Sequence, residues 1–288
     1  MTLFLGLWTL GSASTASPAA KTVKTDAIAQ GVNAAVQVHP ASGAKSPPDK
    51  AIRKAFDEAK RLYKDLDQKS SGELGRINKG AGKEKVKVSG AMLTLLRVCM
   101  QISEWTHGLF DVVQTSGKKT ATLQVDFGRG EVQLEKKAWV DFSGIRNGYV
   151  VDRMAGTLKS EGYGDFMIQS GPVFRTMGRD GQDYWRLNVA DPNGSGKGLC
   201  RVSLEASSIA TADTRLFPNS RTDLQSVTVI ARNATNASAL AKAGLFSGRE
   251  NARTMFASIP EPGFGVILED RNGKIHIVGD VTAACFQE

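Results

Sequence analysis

The stretch DFSGIRNGYVVDRM, residues 141–154, decides how the chain is read. It begins like the end of a strand, passes a glycine and continues as a helix. Gly144 and Gly148 are four residues apart, so they share one helix face. The first N–H groups of a helix lack intrahelical partners, and such groups favour phosphate oxygens. A glycine at that place lets a ligand approach the backbone. The segment therefore reads either as a ligand-binding corner or as a well-made loop.

The elements around the corner are legible from periodicity. Upstream, LQVDF and EVQLE flank a GRG turn and predict a hairpin. A helix that starts near Ser89 is apolar nearly all round (AMLTLLRVCMQI), which predicts that it is buried, and it ends at Gly108. Ser46, Pro47, Pro48 and Asp49 predict a helix start with a side-chain cap. The helix then buries Ile52, Ala55, Phe56, Ala59, Leu62, Tyr63 and Leu66. Residues 22–39 read as a strand, and KSSGELGRINKGAGKEKVKV reads as a polar loop running into a short strand.

Downstream, FMIQSG, YWRLNVADP, RVSLE, SSIATAD and LQSVTVIA read as strands. ATNASALAKAGLFSG and RENARTMFASI read as helices, the first stopping at Gly248. GFGVILEDRNGKIHIVGD reads as a hairpin with a type I′ turn at Asn272-Gly273. Strands and helices mix without strict alternation. The expected class is α+β, mixed sheets with packed helices.

Residues 1–20 carry no Lys, Arg, Asp or Glu, and hold a short apolar run followed by small residues. They predict a secretory signal, with a disordered tail or a wrongly chosen start codon as the other reading. The run is too short to span a bilayer, and no other segment is long and apolar enough. The remainder, residues 21–288, is expected to be one domain, exported to the periplasm and soluble. No cysteine lies among the first 98 residues, which excludes an amino-terminal lipid-anchored cysteine.

The net charge of +8 is dispersed and is not interleaved with aromatics, which argues against nucleic acid. Three cysteines are too few for a disulfide framework. Cys99 belongs to an apolar helix, and Cys200 and Cys285 could pair in an oxidising compartment. None has metal-ligand spacing, and His39, His107 and His276 lie far apart, which argues against zinc.

Six segments, in order, resemble the ApbE-type flavin transferase family, the FAD:protein FMN transferases. SSGELGRIN is similar to its Ser-Glu-x-Ser-x-Leu-Asn segment, and THGLFDVV to its Gly-Ala-Phe-Asp-x-Thr element. DFSGIRNGYVVD is similar to its strand-to-helix Asp-Leu-x-x-x-x-Lys/Glu-Gly-Tyr-x-x-Asp. IQSGPVFRTMG, YWRLNVADP and QSVTVIARNATNASALAKAGLFSG resemble its later strands and its last helix.

The resemblance implies an ApbE-like fold and an exported protein that binds FAD with Mg²⁺. It implies transfer of FMN to a Ser or Thr of a partner protein, an acceptor flavoprotein of a redox chain. It puts Phe110 and Asp111 on the flavin nucleotide, Asp141 on its polar groups, Asn147 and Gly148 at the same corner, and the Gly144 carbonyl on the metal. Each position also has a structural reading. Asp111 could cap a turn, Asp141 could cap its helix or end a strand, Gly148 and Tyr149 could be helix packing, and Trp185 could be core.

The sequence departs from the family at three places. Asn147 replaces a Lys or Glu but still donates and accepts. Ser238 and Lys242 stand where the family has a metal-binding Asp and Thr. A serine is neutral and a lysine repels a cation, which argues against Mg²⁺. The Lys242 ammonium could take the metal's place beside a diphosphate, or could be solvated. Finally, IATADTRLFPNSRTDLQSV lacks the family's histidine segment, and Asp213 is the candidate substitute base. Three readings follow: an active transferase, a flavin-binding relative without transfer, or a fold kept for protein contacts.

Overall fold

The chain is described from a computed structural model, over residues 21–69, 71–116, 121–190, 198–281 and 283–285. The expected leader and the turn after Pro192 lie outside these residues.

The amino-terminal half contains β1 (Thr22–Ala29), β2 (Val32–Val38), α1 (Pro48–Asp65), α2 (Glu73–Lys79), β3 (Val86–Lys87), α3 (Gly90–Trp105), β4 (Val113–Thr115), β5 (Leu123–Asp126), β6 (Glu131–Leu134) and β7 (Ala138–Val140). After the corner come α4 (Arg146–Ser160), β8 (Phe166–Ser170), β9 (Val173–Met177), β10 (Trp185–Ala190), β11 (Gly198–Leu204), β12 (Ser208–Asp213) and β13 (Leu224–Ala231). The chain continues through α5 (Ala234–Ser247), α6 (Arg249–Ala257), β14 (Gly265–Asp270), β15 (Ile275–Gly279) and β16 (Ala283–Cys285).

Eight strands form the main sheet in the order β1-β2-β8-β9-β12-β13-β14-β15, with every pairing antiparallel. The α+β class is borne out. Alternation along β12 shows how the layers form. Ala210 and Ala212 enter the core shared with α5, whereas Ile209 joins Trp185, Leu187, Val189 and Val202 on the other face. Helices α1, α4 and α5 therefore cover one side, and the small sheet β10-β11-β16 covers the other. Trp185 is core, as its structural reading had it.

The stripe expected on α1 is buried in full, from Ile52 to Leu66. Burying each of its larger side chains contributes about 1.5–3 kcal/mol. The two consecutive prolines and Asp49 open the helix as expected, but Ser46 does not cap it. Pro47 is the cap residue, and Ser46 Oγ instead donates to Glu161 Oε2 at 2.6 Å.

Other expectations need correction. The strand predicted over 22–39 is a hairpin, because Gly31 takes φ +70° and reverses the chain. The polar loop contains α2, whose Leu74 and Ile77 are buried three residues apart. The β14–β15 connection is not a type I′ turn, since Asn272 is not at positive φ. Asp270 Oδ1 accepts instead from the Asn272 and Lys274 N–H groups, at 2.9 and 3.0 Å. Helix α3 is only half buried, with Met100 54% exposed, so it lies at the surface.

Cys99 is a buried free thiol. Cys200 is disulfide-bonded, and the ladder between β11 and β16 sets Cys285 opposite it.

Candidate functional site

The corner is built by β7, the turn behind it and α4. Asn78 of α2 holds the end of β7 through both its backbone groups. Its Oδ1 accepts from the Val140 N–H at 2.7 Å, and its Nδ2 donates to the Val140 carbonyl at 3.0 Å. Asp141 follows at once. Its Oδ1 accepts from the Ser143 N–H at 2.8 Å and its Oδ2 from Ser143 Oγ at 3.0 Å. These bonds fix the turn that presents Gly144 before α4 starts. No side chain caps that helix start.

Asp111 arrives on the neighbouring strand entry, where its Oδ1 accepts from the Val113 N–H at 2.8 Å. Asp111 thus holds a turn, as its structural reading had it, whereas Asp141 follows the end of β7 and holds the next turn without capping α4. Both also line a cavity of about 250 Å³, with Leu109, Phe110, Gln114, Gly144, Lys242, Ala243 and Phe246. Five of the residues singled out by sequence therefore meet in one place: Phe110, Asp111, Asp141, Gly144 and Lys242.

Lys242 comes from α5, which is set against α4 by a close contact and by a carboxylate. A methyl group on Gly148 would lie 2.1 Å from the Ala234 carbonyl oxygen and 2.5 Å from Ser238 Oγ. Only glycine permits this approach. Asp152, one turn further along α4, accepts from the Ala234 and Thr235 N–H groups at 2.9 and 2.8 Å and from Thr235 Oγ1 at 2.5 Å. It satisfies the first N–H groups of α5 from a neighbouring helix, beside the local cap Asn233. Burial raises the Asp152 carboxyl above the usual range and lowers the nearby Arg175 guanidinium.

The remaining candidates lie outside the cavity. Gly148 serves the α4–α5 contact, and Ser238 Oγ is buried there without a hydrogen-bond partner. Asn147 joins three elements: Tyr63 OH donates to its Oδ1 at 2.9 Å, and its Nδ2 donates to the Ser170 carbonyl at 2.8 Å. Asp213 lines a larger cavity of about 500 Å³ with Phe174, Leu187, Val189, Ile209 and Thr211. Its carboxylate is taken up by its own turn. Oδ1 accepts from the Arg215 and Leu216 N–H groups at 2.9 and 2.8 Å, and Oδ2 accepts from the Arg215 guanidinium at 3.1 Å.

Sequence reasoning missed Asn78, Asp152, Gln114, Phe217 and Phe246. Asn78 and Asp152 were inside quoted motifs, but their partners are distant in sequence. Phe217 follows the Asp213 turn and stacks edgewise on Phe246, with ring centroids 5.8 Å apart. Lys242 Nζ lies 5.4 Å from the Phe217 centroid.

The residues do not fit a divalent magnesium site. The Lys242 stem crosses the face of Gly144, with Cδ 2.6 Å from where a Cβ would stand. At the positions expected to hold the ion stand a neutral hydroxyl and an ammonium, which repels a cation, and the cavity's two carboxylates hold their own turns, whereas Mg²⁺ needs an octahedron of oxygens with carboxylate charge. Among the described residues, no group of three or more His, Cys, Asp or Glu is placed to hold a metal. The cavity instead offers apolar walls, two carboxylates that accept from hydroxyls, an amide and one ammonium. That set suits a ligand with an aromatic ring, hydroxyl groups and an anionic group.

Comparisons with known proteins bear on the fold and the family. Three solved structures share the fold. An ApbE protein from Thermotoga maritima has a TM-score of 0.77 at 20% identity, covering 90% of this chain and 97% of its own. The flavin transferase ApbE from Vibrio cholerae has a TM-score of 0.77 at 17% identity, covering 91% and 98%. The apo form of Pseudomonas stutzeri flavinyl transferase ApbE has a TM-score of 0.74 at 19% identity, covering 90% and 95%. No curated protein matches the sequence. Residues 30–267, which contain the corner, α5 and every residue of the small cavity, match the profile of the ApbE family. The chain belongs to the ApbE family.

Proposed function

We propose that this chain binds FAD at the corner between β7, α4 and α5, and transfers FMN to a Ser or Thr hydroxyl of a partner protein. The observation that carries the reading is the meeting of Phe110, Asp111, Asp141, Gly144 and Lys242 around one cavity. Apolar walls suit a ring, the two carboxylates suit nucleotide hydroxyls, and an ammonium beside a helix start suits phosphate. In such a transfer the hydroxyl attacks the FMN phosphorus and AMP leaves. Most of the rate comes from positioning and charge neutralisation. The acceptor is a flavoprotein of a redox chain.

Export to the periplasm, with residues 21–288 as one domain, belongs to the same reading. The Cys200 disulfide supports it, since disulfides persist in oxidising compartments. Among the described residues, no helix is long and apolar enough to cross a membrane.

A second reading, flavin binding without transfer, is favoured by Asp213. Its carboxylate is committed to the Arg215 turn, which leaves no obvious base for the acceptor hydroxyl. His39 pairs with Asp180 and His276 with Asp270. His107 is exposed and does not line the cavity.

The test is a fluorescence titration of the purified chain with FAD, followed by chromatography for AMP in the presence of an exported Ser/Thr-bearing flavoprotein. Saturable binding with AMP release supports transfer. Binding without AMP supports the second reading. A folded chain that leaves FAD fluorescence and anisotropy unchanged overturns both.

A further inference from the structure

We infer that the Lys242 ammonium is the resident cation of the nucleotide site, receiving the diphosphate of FAD in place of a divalent metal ion. The inference rests on the proposal that the corner binds FAD. It adds that binding is indifferent to Mg²⁺ and depends on one side chain of this protein.

Three observations place the ammonium. The Lys242 stem lies against the bare Cα of Gly144, with Cδ 2.6 Å and Nζ 3.3 Å from the position of a Cβ, so glycine makes the room. Nζ stands 3.5 Å from Ser143 Oγ, at the mouth of the turn before α4. The Phe217 ring centroid lies 5.4 Å from Nζ, and the ring is itself braced by Phe246. Backbone, hydroxyl and ring together hold the ammonium at the helix start that favours an anion.

Charge balance gives the ammonium its purpose. Asp111 and Asp141 share the cavity, yet among the described residues no carboxylate lies within ion-pair distance of Lys242 Nζ. Each carboxylate accepts from a donor of its own turn, Val113 N–H for Asp111 and Ser143 for Asp141, and neither pairs with the ammonium. A lysine left unpaired inside a cavity keeps its donors for a ligand. A phosphate oxygen is an acceptor that an ammonium binds as a point charge.

Gly144 separates this arrangement from a metal site. If the Gly144 carbonyl held a metal, Gly144→Ala would keep that carbonyl and its ligand role. If the lysine is the cation, the added methyl displaces the stem.

The test compares FAD and riboflavin, which lacks phosphate, by fluorescence titration of the purified chain in EDTA and in millimolar Mg²⁺. The wild-type chain is expected to bind FAD equally in both. Lys242→Met and Gly144→Ala are expected to weaken FAD binding by roughly tenfold or more, the scale of one charge-assisted hydrogen bond, and to leave riboflavin binding unchanged. Lys242→Arg should retain most of the affinity, which also reports a folded site. FAD binding that requires Mg²⁺, or Lys242→Met with unchanged FAD affinity, overturns the inference while leaving FAD as the ligand. Absence of FAD binding to the folded wild-type chain in both buffers overturns the underlying assignment and the inference with it.

Discussion

Gly148 of α4 faces Ser238 of α5 so closely that a methyl group at position 148 would lie 2.5 Å from Ser238 Oγ. The Ala234 carbonyl is nearer still, at 2.1 Å, and backbone yields less readily than a side chain. Gly148→Ala is therefore expected to destabilise the chain by about 1–3 kcal/mol through overpacking. Urea denaturation measures this. An unchanged midpoint would mean that Gly148 is kept for something other than the helix contact.

Asn147 links α1, α4 and the end of β8 through Tyr63 and Ser170. Asn147→Ala strands a half-buried hydroxyl and a carbonyl. The expected cost is about 1–3 kcal/mol. Because Asn147 does not line the cavity, stability should fall more than FAD affinity does. Paired denaturation and titration experiments on the variant check this, and the reverse order would return Asn147 to the ligand.

Asp213→Asn weakens three hydrogen bonds that hold the turn after β12. A loss of about 1–3 kcal/mol is expected. The turn also carries Phe217 to Lys242, so FAD affinity should fall as well. If the chain releases AMP, the pH profile of release should keep its shape in the variant. Loss of one limb of that profile would instead identify Asp213 as the base.

Glu161 accepts from Lys54 Nζ and from Ser46 Oγ, each at 2.6 Å. The Lys54 bond first, and the Ser46 bond second, hold its carboxyl below the usual range. A depressed carboxylate contributes stability above its unfolded-state value and loses it as pH falls through the folded value. Glu161→Gln should thus lower the denaturation midpoint at pH 7, and the gap should begin to narrow below about pH 4 and go on narrowing as pH falls through the folded value. A gap that does not narrow at all as pH falls from about 7 to about 2 would show that shape, and not charge, matters at this position.

The fold was legible where local pattern and tertiary burial agree. The α1 stripe, the helix start near Ser89, the strand β13 and the stop at Gly248 all follow from neighbours a few residues apart. The misreadings share a cause. Ser46 had a local partner available and took a distant one, Glu161. The α2 segment is polar enough to resemble a loop, and its helix is fixed by burying Leu74 and Ile77. The site divides in the same way. Phe110, Asp111, Asp141, Gly144 and Lys242 were found because family resemblance reports position directly. Asn78 and Asp152 were passed over because their work is done on Val140 and on the start of α5. The duties of Asn147 and Gly148 likewise depend on which helix stands opposite, a fact no window of sequence contains.

The order of strands in the main sheet sets the timetable of folding. β2 pairs with β8, and Ser170 Oγ donates to the Asn33 carbonyl across 137 residues of chain. During synthesis the β1–β2 hairpin emerges early, and the β2 edge waits unpaired. That edge is a template for association with other chains until β8 arrives. β11 waits similarly for β16, which stands at the far end of the sequence. Closure over such distances incurs loop entropy before it gains contacts, and it makes refolding slow compared with a helical protein of this length. A chain cut short before Phe166 thus keeps its open edge permanently. Aggregation of such fragments, more than loss of any residue at the corner, is the outcome this topology dictates.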